Sequence, residues 1–253
     1  MKGWLILFVL LSLGSPPFAN GQQDRFESAN QLLENHRVTE AMEIYRDIEQ
    51  EGYRSGMLFY NMGIASLYQD SLGLAKYYFM RSALYEDANP EAEQALRHVN
   101  NQFDRRSAIL PSLPWERFFD ALSERVGYPL LMILSIVLLH IAAGLLILSW
   151  ARPRIRRYLH WPALFVCLIA CLSLFSALWI ETQQNRYQTG VLIESSTSLR
   201  QSADHQSGSV ITVYEGFTMR VDLRKESSNS DWLYVRLQNG MSGWINRNSV
   251  QAF

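Results

Sequence analysis

Residues 59–84 read FYNMGIASLYQDSLGLAKYYFMRSAL. Their apolar positions recur three and four apart, the spacing of two amphipathic helices. Gly63, Ala75 and Ser82 stand where a helical packing surface would otherwise carry leucines, which fits two helices that cross with their backbones close together. Sliding the sequence along itself by 34 residues lays Ala29 over Gly63, Ala41 over Ala75, Ile44 over Tyr78 and Tyr45 over Phe79. The segment is therefore an internal repeat, and a helical one.

The rest of the chain is unlike it. The formal charge of −1 divides into about −5 over 22–106, about +3 over 107–180, about 0 over 181–253 and +1 from Lys2. None of these regions has the strongly basic character of a nucleic-acid binder. The two cysteines, Cys167 and Cys171, share one apolar run, so a disulfide framework is excluded.

The first 21 residues combine one lysine, an apolar core, Pro16-Pro17 and the small residues Ala19 and Gly21. This predicts a signal peptide over 1–21, cut before Gln22, with an uncleaved anchor as the alternative. Two later runs are long enough to span a bilayer, 129–150 and 162–180. The loop between them, 151–161, carries Arg152, Arg154, Arg156 and Arg157 and no acid. The positive-inside rule places it in the cytoplasm and both flanking regions outside.

Helical phase gives each span a stripe of small residues. These are Ser135, Ala142 and Ser149 in the first, and Ala163, Cys167, Ala170, Ser173 and Ala177 in the second. Such stripes let helices approach closely and predict an antiparallel hairpin, with the cysteines as small packing residues. His140 lies near the middle of its span, and a hydrogen bond to the neighbouring helix is expected of it. Before the first span, within 107–128, Trp115, Phe118, Phe119, Leu122 and Val126 share one helical face opposite charged residues. Two readings stand for this helix: it lies on the membrane surface, or it caps a domain.

From about residue 190 the period changes to two. Trp232, Tyr234, Arg236 and Gln238 alternate with Leu233, Val235 and Leu237, and Asn239-Gly240 supplies a tight turn. Five short strands and a small barrel over 190–253 are expected.

The 34-residue pattern resembles the tetratricopeptide repeat. Gly63, Ala75, Phe79 and Ser82 take that family's small and aromatic positions, and Phe59 and Met62 take its large ones. Arg25 replaces the usual aromatic of the first copy, and PEAEQALRHVNNQF after Asn89 is similar to the solvating helix that closes such arrays. DWLYVRLQNGMSGWI resembles the bacterial SH3 domain, except that Ser198–Ser202 departs from that family's first loop. The fold class implied is a multi-domain membrane protein, with tetratricopeptide helix pairs over 22–106, a two-helix transmembrane hairpin and an all-β SH3-like barrel.

This order of parts is similar to the BatE type of aerotolerance (Bat) operon protein. That resemblance implies a stress-response adaptor in the bacterial inner membrane with both terminal domains periplasmic. It implies partnership with von Willebrand A-domain proteins and, through them, a MoxR-type ATPase. In tetratricopeptide arrays the first helix of each pair lines the concave face. By the 34-residue register the exposed groove positions would be Phe26, Asn30, Tyr60, Ile64 and Tyr68, unless these pack on a third helix.

The exported regions carry no cysteine, no paired metal-ligand spacing and no phosphate-binding glycine loop. The expectation is a binding protein, not an enzyme, without cofactor or metal. Peptidoglycan binding through Tyr214, Trp232 and Trp244 is the alternative, although such aromatics also serve as barrel core. A membrane enzyme using His140 is a third reading, weakened because no acid lies between Arg125 and Glu181.

Overall fold

The computed structural model describes residues 20–105, 109–111, 114–152, 156–226 and 231–253. The expected signal peptide lies outside them apart from its last two residues. The chain forms two compact units that meet in sequence between Phe103 and Asp104. Among the described residues there are eight helices and a seven-stranded antiparallel sheet.

The first unit is all helical: α1 (Asn20–Glu34), α2 (Val38–Gln50), α3 (Gly56–Tyr68), α4 (Leu72–Ser82) and α5 (Asn89–Gln102). The 34-residue period is written into its backbone. Arg37 N donates to Leu32 O and His36 N to Leu33 O; one period later Ser71 N donates to Ser66 O and Asp70 N to Leu67 O. His36 and Asp70 both adopt left-handed backbone, with φ of 59° and 57°. This is the Schellman ending of a helix, which exposes a single residue in the left-handed region and turns the chain back. The two helix pairs thus end and restart in the same way.

Ala29, Ala41, Tyr45, Ala75 and Phe79 are all fully buried, as the register requires. In place of the aromatic expected at position 25, Arg25 pairs with Glu51 at 2.6 Å. Ser55 Oγ accepts from Leu58 N and Asp87 from Gly56 N, so the start of α3 is capped from two directions.

In the second unit α6 (Pro114–Arg125) precedes two helices long and apolar enough to cross a membrane, α7 (Tyr128–Ala151) and α8 (Arg156–Arg186). The loop expected over 151–161 is shorter than predicted, because α8 starts at Arg156 and takes Pro162 inside it. Lacking an N–H, Pro162 forgoes one helical hydrogen bond. Arg154 lies outside the described residues.

The two helices pack along the predicted small-residue stripes. Ser135, Ala142 and Ser149 are buried against Ala163, Ala170 and Ala177, and Ser173 Oγ donates to Leu131 O across the seam at 3.0 Å. Two expectations are corrected. Cys167 is only half-buried and Cys171 is exposed, because Cys171 follows Ala170 by about 100° of helical turn and leaves the seam. His140 is exposed, and its Nδ1 lies 2.7 Å from Ile136 O of its own helix, not from the neighbour.

Aromatic side chains mark both ends of the hairpin. Trp150, Tyr158 and Trp161 are exposed at one end, with Tyr128 and Trp179 at the other. From Trp161 to Trp179 is about 27 Å of helix, close to the thickness of a hydrocarbon core.

The sheet comprises β1 (Tyr187–Leu192), β2 (Ser196–Arg200), β3 (Ser209–Tyr214), β4 (Thr218–Glu226), β5 (Trp232–Leu237), β6 (Ser242–Asn246) and β7 (Val250–Ala252), in the order β3-β2-β6-β5-β4-β1-β7. There are seven strands, not five, and the first begins at Tyr187, ahead of the expected boundary at 190. β1 follows α8 without a loop, which moves the first strand ahead of the expected boundary, and β7 pairs with it. Inward-facing side chains of five strands, Leu199, Val213, Val221, Val235 and Ile245, meet in a single core. The β5–β6 turn closes with Leu237 N donating to Met241 O, and Gly240 takes φ of 85°, a value that favours glycine.

Candidate functional site

Three surfaces carry the side chains singled out by the sequence. On the helical unit, the five groove positions do not form one exposed face. Asn30 Oδ1 accepts from Tyr45 Oη at 2.7 Å and from Asn61 Nδ2 at 2.8 Å, tying α1, α2 and α3 together. Phe26 packs on the Tyr45 ring, and burial pushes the Tyr45 phenol well above its ordinary range. Tyr60 and Ile64 pack around the Ala75, Phe79 and Val99 cluster, where α5 covers them. The expectation that all five are exposed is thereby corrected: an added helix takes up the flank of α3. Tyr68 alone is exposed, at 56%, with the ring of His36 set edgewise against it at 5.5 Å.

At the other side of α4, Lys76 is half-buried, and its ammonium lies 5.5 Å from the centre of the Phe103 ring. Loss of hydration lowers its pKa to about 8. Arg81 is buried. It pairs with Glu49, accepts no solvent-facing role, and lies 3.8 Å from the Phe59 ring centre.

On the sheet, the three aromatics proposed as a ligand surface are not grouped together. Trp232 is buried beneath His205, whose ring centre is 4.8 Å away. Trp244 is half-buried and meets Tyr234 edge-on at 5.3 Å. Tyr214 sits at the end of β3, where its hydroxyl accepts from Arg105 at 3.0 Å and the guanidinium covers its ring. Trp244 with Tyr234 remains as a partly open pair on the outer face of β5 and β6. Lys225 stands 3.8 Å from the Tyr234 ring centre. Sequence reasoning missed His205 and Arg105, whose partners Trp232 and Tyr214 lie far along the chain, and missed Tyr234, which pairs with Trp244 across the β5–β6 hairpin.

The third surface lies where α6 meets the C-terminal end of α8. Phe119, Leu122 and Val126 pack on Leu131, Ala177 and Ile180, while Trp115 and Phe118 stay exposed. Of the two readings of α6, docking on the hairpin accounts for one part of its apolar face, and an exposed aromatic edge remains beside it. Gln184 Nε2 donates to Ser123 Oγ at 3.0 Å, linking α8 to α6. Arg186 at the end of α8 grips Asp222 of β4 through both carboxylate oxygens, with a shortest distance of 2.7 Å. That hydrogen bonding holds the buried Asp222 carboxyl below the usual carboxylate range. A cleft of about 270 Å³ opens between these elements.

Among the described residues no group of three or more His, Cys, Asp or Glu side chains gathers to hold a metal ion. No protein-family model matches the chain, and no curated protein matches it in sequence.

Proposed function

We propose that this chain is a membrane-anchored adaptor of the BatE type, with its helical unit and its sheet both on the periplasmic side of the bacterial inner membrane. The observation that carries the reading is the helix pair repeated at 34 residues, with matching Schellman turns at His36 and Asp70. Paired helices stacked at this period form a tetratricopeptide-type array, whose usual work is to hold a peptide or partner loop. The curled sheet, with its Asn239-Gly240 hairpin, is read as an SH3-like module. The four arginines between the apolar runs 129–150 and 162–180 support the orientation.

The partners on this reading are von Willebrand A-domain membrane proteins, with a MoxR-type ATPase reached through them. In-cell crosslinking followed by purification of the tagged chain tests it, run beside pull-down by purified wall fragments. Co-purification of von Willebrand A-domain proteins, reduced by Tyr68→Ala, is the expected result. Retention on wall fragments without those proteins, lost on Trp244→Ala, would replace the adaptor by a peptidoglycan binder.

A further inference from the structure

The cleft at the end of α8 is built from three stretches far apart in sequence: Trp115, Phe119 and Asp120 of α6, Trp179 and Gln183 of α8, and Arg220 of β4. Its walls are fixed by the Gln184–Ser123 hydrogen bond and the Arg186–Asp222 ion pair. Asp120 and Arg220 both line it, yet neither forms an ion pair among the described residues. Arg236 stands directly opposite Arg220 on β5, also exposed. Like charges set across two strands repel, and an anion between them removes the repulsion.

An acid and a base left unpaired in one cleft call for a ligand that carries both signs. Guanidinium groups take a phosphate in two parallel hydrogen bonds. Asp120 takes an ammonium, and Gln183 and Gln188 offer further acceptors to its N–H groups. A quaternary amine has no such hydrogens to give. The site also lies at the end of a helix apolar enough to cross a membrane, with Trp179 and Ile180 in its wall, which is the depth of phospholipid headgroups.

The geometry points to a binding site for the headgroup of an ethanolamine phospholipid, phosphate on Arg220 and ammonium on Asp120. Seated there, one lipid bridges α6, α8 and the sheet and fixes the height of the sheet above the bilayer. The assignment rests on the membrane reading given above.

Native mass spectrometry of the full chain, released from micelles holding equal amounts of phosphatidylethanolamine, phosphatidylcholine and phosphatidylglycerol, tests it. Wild type is expected to retain the ethanolamine lipid about tenfold over either competitor, the worth of one charge-assisted hydrogen bond. Asp120→Asn abolishes the preference over the choline lipid, and Arg220→Gln reduces retention of all three. Both positions are exposed, and unchanged circular dichroism confirms that the variants fold. Equal retention of the three lipids by wild type, or a preference untouched by both variants, overturns the site. Soluble glycerophosphoethanolamine is titrated against tryptophan fluorescence; saturation as tight as the lipid's would assign the cleft to a free metabolite and overturn the lipid. Alkaline extraction of membranes runs in parallel. A chain that resists extraction but shows no headgroup preference sinks the cleft alone, whereas a chain that is extracted sinks the membrane reading beneath it.

Discussion

The ring of Phe79 closes over the backbone of Gly63: a Cβ at position 63 would stand 2.5 Å from Cε1 and 2.7 Å from Cδ1 of that ring. Phe79 is fully buried and packed by Tyr60, so it has no room to withdraw. In an open helix, glycine to alanine gains about 1 kcal/mol. Here Gly63→Ala is expected to lose stability instead, and Gly63→Leu to lose about 3 kcal/mol through overpacking. Thermal unfolding of a fragment spanning 20–105 measures both; a raised melting temperature for Gly63→Ala would refute the crossing.

The amide of Asn30 is the acceptor for two donors on two other helices. Asn30→Leu strands the hydroxyl of a fully buried tyrosine, a loss of about 1–3 kcal/mol. Tyr45→Phe removes that donor while leaving the bond from Asn61 in place, so it is expected to cost less. Urea unfolding of the two variants ranks them, and the reverse order would mean that the Tyr45 hydroxyl finds another partner.

The close helix crossing and the hairpin seam were legible because both rest on one residue property, small size, recurring at a fixed period. The contents of the contacts were not. Asn30 reads as a groove residue by register, and only the approach of α2 and α3 makes it a junction. Pro162 marks a helix start by the local rule, whereas α8 runs through it from Arg156. Tyr187 follows Arg186 with no turn residue to announce a change from helix to strand. The cleft is assembled from α6, α8 and β4, and no local motif joins them.

Lys76 gives the helical unit a definite pH response. Its folded pKa is lowered to about 8 from 10.5. Between these values the unfolded chain holds more protons, so stability rises with pH across this window. Burial raises the folded pKa of Tyr45, Tyr77 and Tyr78 above 10.0. Those phenols ionise first in the unfolded chain, so stability falls at pH above about 10. Urea unfolding of the 20–105 fragment is therefore expected to show a maximum between pH 8 and 10.5. Lys76→Met removes the rising limb alone; a rise that survives this substitution belongs to another group.

Orientation is tested at Tyr158, which is 76% exposed in the first turn of α8. About 33 Å of helix separates it from Ile180, enough to set the two on opposite faces of a bilayer. With Cys167 and Cys171 replaced by serine, single cysteines at Gln69, Gln206 and Tyr158 are exposed to a membrane-impermeant maleimide in intact spheroplasts. On the proposed orientation the arginines beside Tyr158 face the cytoplasm, so Gln69→Cys and Gln206→Cys are expected to label while Tyr158→Cys labels only after lysis. Arg152, Arg156 and Arg157 replaced together by glutamine should raise labelling of Tyr158→Cys, because the charge that sets the orientation is then reduced to Arg154. Labelling of Tyr158→Cys in spheroplasts with those arginines intact, and protection of the other two, would place both the helical unit and the sheet in the cytoplasm and remove the periplasmic adaptor reading with them.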